Sequence, residues 1–164
     1  MNIGTNQQQL GLVSFFTRNV VLKKLPAPLV MAGIWFLSSQ SILPKPKGLF
    51  GIDKVQHFIA YFVLAAAAGL WFSPDRWQKR KWQPFFISAA AAVVYGIIDE
   101  VHQYFVPGRD CNVWDWLADS IGAVFGGLAI LFLFRVIGRY RARKTGQFRA
   151  GQSEQSEAIR NKAG

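Results

Sequence analysis

Charge is scarce in this chain, and acids are the scarcest part of it. Only 17% of its 164 residues are Asp, Glu, Lys or Arg, with nine acids against nineteen bases, while 51% are hydrophobic. That balance is poor for a soluble fold of this length and points to a one-domain membrane protein. A single cysteine, Cys111, excludes an internal disulfide. The common enzyme signatures are missing too: the chain has no glycine-rich nucleotide loop, no metalloprotease helix motif and no internal repeat. No compact basic, apolar and small-residue pattern stands at the N-terminus, so a cleaved signal peptide is not expected.

What is present is a set of apolar runs long enough for roughly 30 Å of hydrocarbon at about 1.5 Å per residue. Leu25 to Leu43, Val55 to Phe72, Phe85 to Gln103 and Trp114 to Phe134 are the candidate spans. The expected fold is therefore all-α, a polytopic four-transmembrane-helix bundle. Basic residues near span ends stay cytoplasmic. Placing the N-terminus inside puts 15 of the 19 bases there and leaves Lys45, Lys47, Lys54 and Arg109 outside. Both termini are then cytoplasmic, and the net charge of +10 is a basic skirt facing anionic lipid rather than a nucleic-acid surface. Residues 1–24 form the N-terminal segment, where Leu10, Val13, Phe16, Val20 and Leu25 suggest an interfacial helix. Residues 25–136 form the membrane domain. Residues 137–164 form a basic tail whose composition from about Lys144 onward reads as disordered.

Two stretches carry the unusual polar chemistry. The first is Asp53-Lys54-Val55-Gln56-His57-Phe58-Ile59-Ala60-Tyr61, in which Asp53, His57 and Tyr61 recur every four residues on one helix face. The second runs from Asp99-Glu100-Val101-His102-Gln103 through Pro107-Gly108-Arg109 to Asp115 and Asp119. Each ionised side chain near the bilayer centre costs on the order of 3 kcal/mol on insertion scales, so such residues read as a site facing protein or water. Bland alternatives stand beside that reading: Asp53 and Asp115 as helix N-caps, His57 as a satisfied structural histidine, and Arg109 in an ion pair with Glu100, Asp110 or Asp115. In the fourth span, Asp115, Asp119, Gly122 and Gly126 share a face, and the glycines read as a packing seam.

The order Asp53-Lys54-x-x-His57-Phe58-x-x-Tyr61, then Glu100-x-x-Gln103-x-Phe105-x-Pro107-Gly108-Arg109, then Asp115-x-x-x-Asp119-x-x-Gly122 resembles the VanZ-like family of small bacterial membrane proteins over about residues 25 to 136. Asp119 departs from the pattern, which often carries Asn there, and makes the outer site more acidic. The resemblance implies a multi-pass protein of the bacterial inner membrane and cell envelope, related to glycopeptide (teicoplanin) resistance. It implies no mechanism.

Two functions of different class follow. In the first, an extracytoplasmic polar pocket of Asp53, Lys54, His57, Tyr61, Glu100, Gln103, Arg109, Asp115 and Asp119 binds an anionic amphipathic ligand, a lipid-linked cell-wall precursor or a headgroup. Lys54 and Arg109 would hold the anion, and Glu100 is expected to pair with one of them. In the second, His57 and Glu100 are general base and acid of a membrane-embedded enzyme acting on such a lipid. A metal site using His57, His102 and carboxylates is the weaker third reading, since the two histidines lie on different faces; neither metal nor cofactor is assigned. Membrane lipid is the expected partner, nucleic acid is not, and a homodimer would complete a transport pathway that four spans are too few to form. His57 and Arg109 are expected to line one pocket and act as a unit.

Overall fold

The computed structural model describes residues 20–41, 51–109 and 111–163. Most of the expected interfacial segment, together with Lys45, Lys47 and Asp110, lies outside them. Among the described residues every regular element is an α-helix: α1 (Val20–Lys24), α2 (Pro26–Ser38), α3 (Ile52–Gly69), α4 (Pro74–Lys79), α5 (Trp82–Tyr104) and α6 (Val113–Ala163).

Local chemistry sets the helix ends. Pro26 occupies the first position of α2, where its missing N–H has no intrahelical partner to lose. The Ser39 hydroxyl donates back to the Trp35 carbonyl as α2 closes. Gly51 precedes α3 at φ +93°, a left-handed conformation that side chains resist. Ser73 caps α4 by accepting from the Arg76 N–H at 3.3 Å, with Pro74 at the first helical position. After α5, Gly108 at φ +81° makes the turn at Pro107-Gly108. Asn112, rather than Asp115, starts α6: its side-chain oxygen accepts from the Trp114 N–H and its carbonyl from the Asp115 N–H. Asp53 likewise sits inside the first turn of α3, behind the glycine cap, so neither aspartate is the N-cap that its position suggests.

Two of these helices are long and apolar enough to cross a membrane. They are α5, with a mean hydropathy of 1.5, and the Val113–Gln147 part of α6, at 2.2. The 18 residues of α3 carry Asp53 and Lys54 in the first turn, and the 13 residues of α2 end at Ser38, short of the expected Leu43. The distribution of residue sizes fits a lipid solvent. Small side chains such as Ala65, Ala92 and Ala123 are buried, while Phe36, Phe86 and Phe132 are more than 60% exposed. An exterior of that kind is unfavourable in water and natural in hydrocarbon.

The core has two parts. Around the middle, Ile34 of α2, Tyr61 and Leu64 of α3, Tyr95 of α5 and Ala123 of α6 pack together. At the other end Trp77 stacks on Phe134 (centroids 5.8 Å apart) and donates its indole N–H to the Gly69 carbonyl, tying α4 to both neighbours. The helix α6 packs chiefly against α3 and then α5. A Cβ on Gly122 would collide with the Phe58 carbonyl oxygen, and one on Gly126 with the Phe62 carbonyl oxygen. The glycine seam therefore sits where the sequence places it, and it sets backbone against backbone.

Beyond the bundle α6 continues past Lys144 to Ala163. Arg, Ala, Lys, Gln and Glu are strong helix formers, and extending an existing helix avoids the cost of nucleation.

Candidate functional site

The polar residues of three helices meet at one end of the bundle. His57 is in the second turn of α3, Asp99, Glu100 and Gln103 are in the last turns of α5, and Asp115 and Asp119 are in the first two turns of α6. Asp99, Glu100, Gln103, Asp115, Asp119 and Tyr61 are all buried, Asp119 completely. Their helices deliver them there by spacing. Asp115 and Asp119 lie one turn apart on α6, as do Asp53, His57 and Tyr61 on α3, so the two stripes face each other across the glycine seam.

His57 Nδ1 stands 2.9 Å from Asp119 Oδ1, where the ring N–H donates to the carboxylate. Glu100 comes from α5 to the same point: one donor atom each of His57, Glu100 and Asp119 lie within 4.8 Å of one another. Glu100 Oε2 accepts the Asn112 backbone N–H at 2.7 Å. Nearer the rim, Lys54 donates to Asp115 at 2.7 Å and to Asp53 at 3.0 Å, with its side chain 37% exposed. Gln103 donates to Asp99 one turn back at 2.9 Å. These bonds leave a remainder. Tyr61 Oη, Asp99 Oδ1, Glu100 Oε1, Trp116 Nε1 and Asp119 Oδ2 are buried with no hydrogen-bond partner among the described residues. Buried polar atoms are paired as a rule, and each exception calls for an explanation.

Two expectations about cations are corrected. Glu100 pairs with neither Lys54 nor Arg109: Lys54 is held by Asp53 and Asp115. Arg109 donates to the Gln40 and Leu37 carbonyls at 3.1 and 2.8 Å. It closes the C-terminal end of α2, where unsatisfied carbonyls and the negative end of the helix dipole favour a guanidinium. His57 and Arg109 are thus engaged with different partners. His102 also belongs elsewhere. It stacks on Trp35 at 3.8 Å with its Nε2 3.0 Å from Ser39 Oγ, which removes it from any metal reading.

Residues that the sequence reading left outside the site complete it. Gly96, one turn before Asp99 and Glu100, makes room for Asp119: a Cβ there would lie 3.2 Å from Asp119 Oδ2 and 3.4 Å from Trp116 Cδ1. The signal was available as Gly96, Asp99, Glu100 and Gln103 on one face of α5. Trp116 and Asn112 carried none, since their parts depend on where α6 begins.

Cys111, exposed on the loop between α5 and α6, reports on Glu100. Partial desolvation and then the Glu100 charge push its thiol above the ordinary value. Alkylation of Cys111 near neutral pH is therefore expected to be slower than that of a free thiol, because less thiolate is present. Glu100→Gln is expected to speed it. An unchanged rate and pH profile in the variant would place the Glu100 charge away from Cys111.

No curated protein and no solved structure gives a significant match to this chain. The family model described as VanZ/LLP1 matches residues 4–135, a stretch that contains all three polar helix ends and the glycine seam. On that match the chain, with its buried His57, Glu100 and Asp119 at the meeting of three helices, belongs to the VanZ-like family.

Proposed function

We propose that the protein crosses the bacterial inner membrane four times, through α2, α3, α5 and the first part of α6, with both termini in the cytoplasm. The polar cluster then faces the outside, and it receives the head of an amphipathic envelope lipid, such as a lipid-linked cell-wall precursor. The observation that carries this reading is the set of buried polar atoms without partners on three helices at one level. Something polar completes them, and a lipid head that carries hydroxyl donors beside a phosphate does so chemically. Tyr61 Oη and Trp116 Nε1 are donors suited to phosphate oxygens, whereas Asp99 Oδ1, Glu100 Oε1 and Asp119 Oδ2 accept from sugar hydroxyls. Lys54, partly exposed, stands at the rim. A role in glycopeptide resistance enters this reading through the family alone.

A second reading has its own support. A fully buried Asp119 on His57 Nδ1 holds the imidazole in one orientation, as the partner of a general base does, with Glu100 adjacent as acid. The cluster would then process the lipid as well as bind it.

The test is thermal unfolding of the detergent-solubilised full chain with a polyprenyl-pyrophosphate-linked saccharide, with polyprenyl phosphate, or with phosphatidylcholine. The saccharide lipid is expected to raise the midpoint of the wild type and not that of Glu100→Gln, and its recovery unaltered or cleaved separates binding from catalysis. A rise of equal size with phosphatidylcholine would contradict a headgroup site. Orientation is tested by cysteines introduced at Lys79 and Val113 in a Cys111→Ser background. An impermeant reagent on spheroplasts should reach position 113 and not position 79, and the reverse would invert the topology.

A further inference from the structure

We infer that His57, Glu100 and Asp119 form a binding site for one divalent transition-metal ion, of the Zn²⁺ or Mn²⁺ class, a site that stands whether or not a lipid head is also received. The three residues come from three separate helices, and one donor atom of each lies within 4.8 Å of the others. Two donors at about 2.1 Å from a shared ion are at most about 4.2 Å apart, so the set needs to close by no more than about 0.6 Å, within reach of a side-chain torsion. More than proximity points to an ion. Glu100 is 4% exposed and Asp119 is 0% exposed, yet Glu100 Oε1 and Asp119 Oδ2 have no hydrogen-bond partner among the described residues. Two carboxylates with open lone pairs, buried side by side, are unfavourable unless a positive charge or a proton joins them.

Lys54 and Arg109 do not supply that charge, and His57 meets Asp119 through Oδ1, leaving Glu100 Oε1 and Asp119 Oδ2 open. Lys54 is bonded to Asp53 and Asp115, and Arg109 to the Leu37 and Gln40 carbonyls. A cation held by one imidazole and two carboxylates would neutralise the pair and use both open oxygens. The donor set selects the kind of ion. Calcium takes six to eight oxygens and magnesium keeps several waters, while an imidazole with carboxylates suits zinc and manganese. Three protein ligands leave at least one coordination position open, as in sites that act on a bound molecule rather than brace a fold. Of the three residues His57 is the most exposed, its side chain at 15%, so the open side lies toward the rim. Outer-shell support is also present: the Asn112 backbone N–H holds Glu100 Oε2, and Gly96 leaves the space that Asp119 fills.

The experiment uses the tag-free full chain in detergent, stripped with a chelator and dialysed against Zn²⁺ or Mn²⁺ alone, with bound metal read by elemental mass spectrometry. About one ion per chain is expected for the wild type and for Asp75→Asn, which lies in α4 away from the cluster. Glu100→Gln and Asp119→Asn are each expected to weaken binding by about tenfold or more. Because Glu100→Gln keeps the His57–Asp119 bond, it decides the matter if Asp119→Asn fails to fold. Chelation should lower the thermal midpoint of the wild type and leave that of Glu100→Gln unmoved. Retention of no more metal than a non-specific background, or equal occupancy in wild type and Glu100→Gln, overturns the site and leaves a shared proton as what neutralises the carboxylates.

Discussion

Gly126→Leu is expected to lower the unfolding midpoint of the protein sharply. A Cβ at Gly126 meets the Phe62 carbonyl oxygen and one at Gly122 meets that of Phe58, and a carbonyl in the middle of a helix cannot rotate aside. The two helices would have to separate along the whole seam. Overpacking in a close-packed interior typically costs about 1–3 kcal/mol, and here the obstruction is backbone, so the double variant Gly122→Leu, Gly126→Leu should fail to accumulate in the membrane. Gly33→Leu is the matched control, because nothing lies within 4 Å of a Cβ at Gly33. The check is thermal unfolding of the detergent-extracted protein. Similar midpoints for Gly126→Leu and Gly33→Leu would show that α3 and α6 are not in backbone contact.

Within the site the largest effect is expected from the pair that the helix packing creates. Asp119 is fully buried and holds His57 Nδ1 at 2.9 Å. Removing either partner leaves the other buried and unpaired, a loss of about 1–3 kcal/mol. His57→Ala and Asp119→Ala should each destabilise the protein, and the double variant should be little worse than either. The coupling would be about 0.5–3 kcal/mol in a double-mutant cycle. The same cycle between His57 and Arg109 should show near additivity, since Arg109 binds the Leu37 and Gln40 carbonyls instead. Coupling between His57 and Arg109 that matched that of His57 and Asp119 would contradict the partners described for both.

These two results divide what the sequence discloses from what it conceals. The polar stripes on α3, α5 and α6 follow from helical periodicity, and the glycine seam follows from residue size at steps of four. Partner choice does not follow from either. Whether Asp119 meets His57, Lys54 or Glu100 depends on the rotation of α6 against α3, which the approach of Gly122 and Gly126 to the Phe58 and Phe62 carbonyls fixes. A face assignment by spacing is too coarse for that. The partners of Arg109 and His102 are hidden for a related reason. Their side-chain types suit a ligand site, but Arg109 finds free carbonyls at the end of α2 and His102 finds the face of Trp35. In the tail, low apolar content and helix-favouring residues point different ways, and α6 continues through it.

The claim on which the account rests is that the cluster at the meeting of α3, α5 and α6 receives the polar head of an envelope lipid. Native mass spectrometry of the full chain, released from detergent after expression in a bacterium, measures this directly. The wild type and Asp75→Asn should carry a distinct lipid adduct whose mass shows a phosphorylated or saccharide-bearing head, and Glu100→Gln should have lost it while remaining folded. Bulk phospholipid alone, bound to the same extent by wild type and Glu100→Gln, would contradict the account.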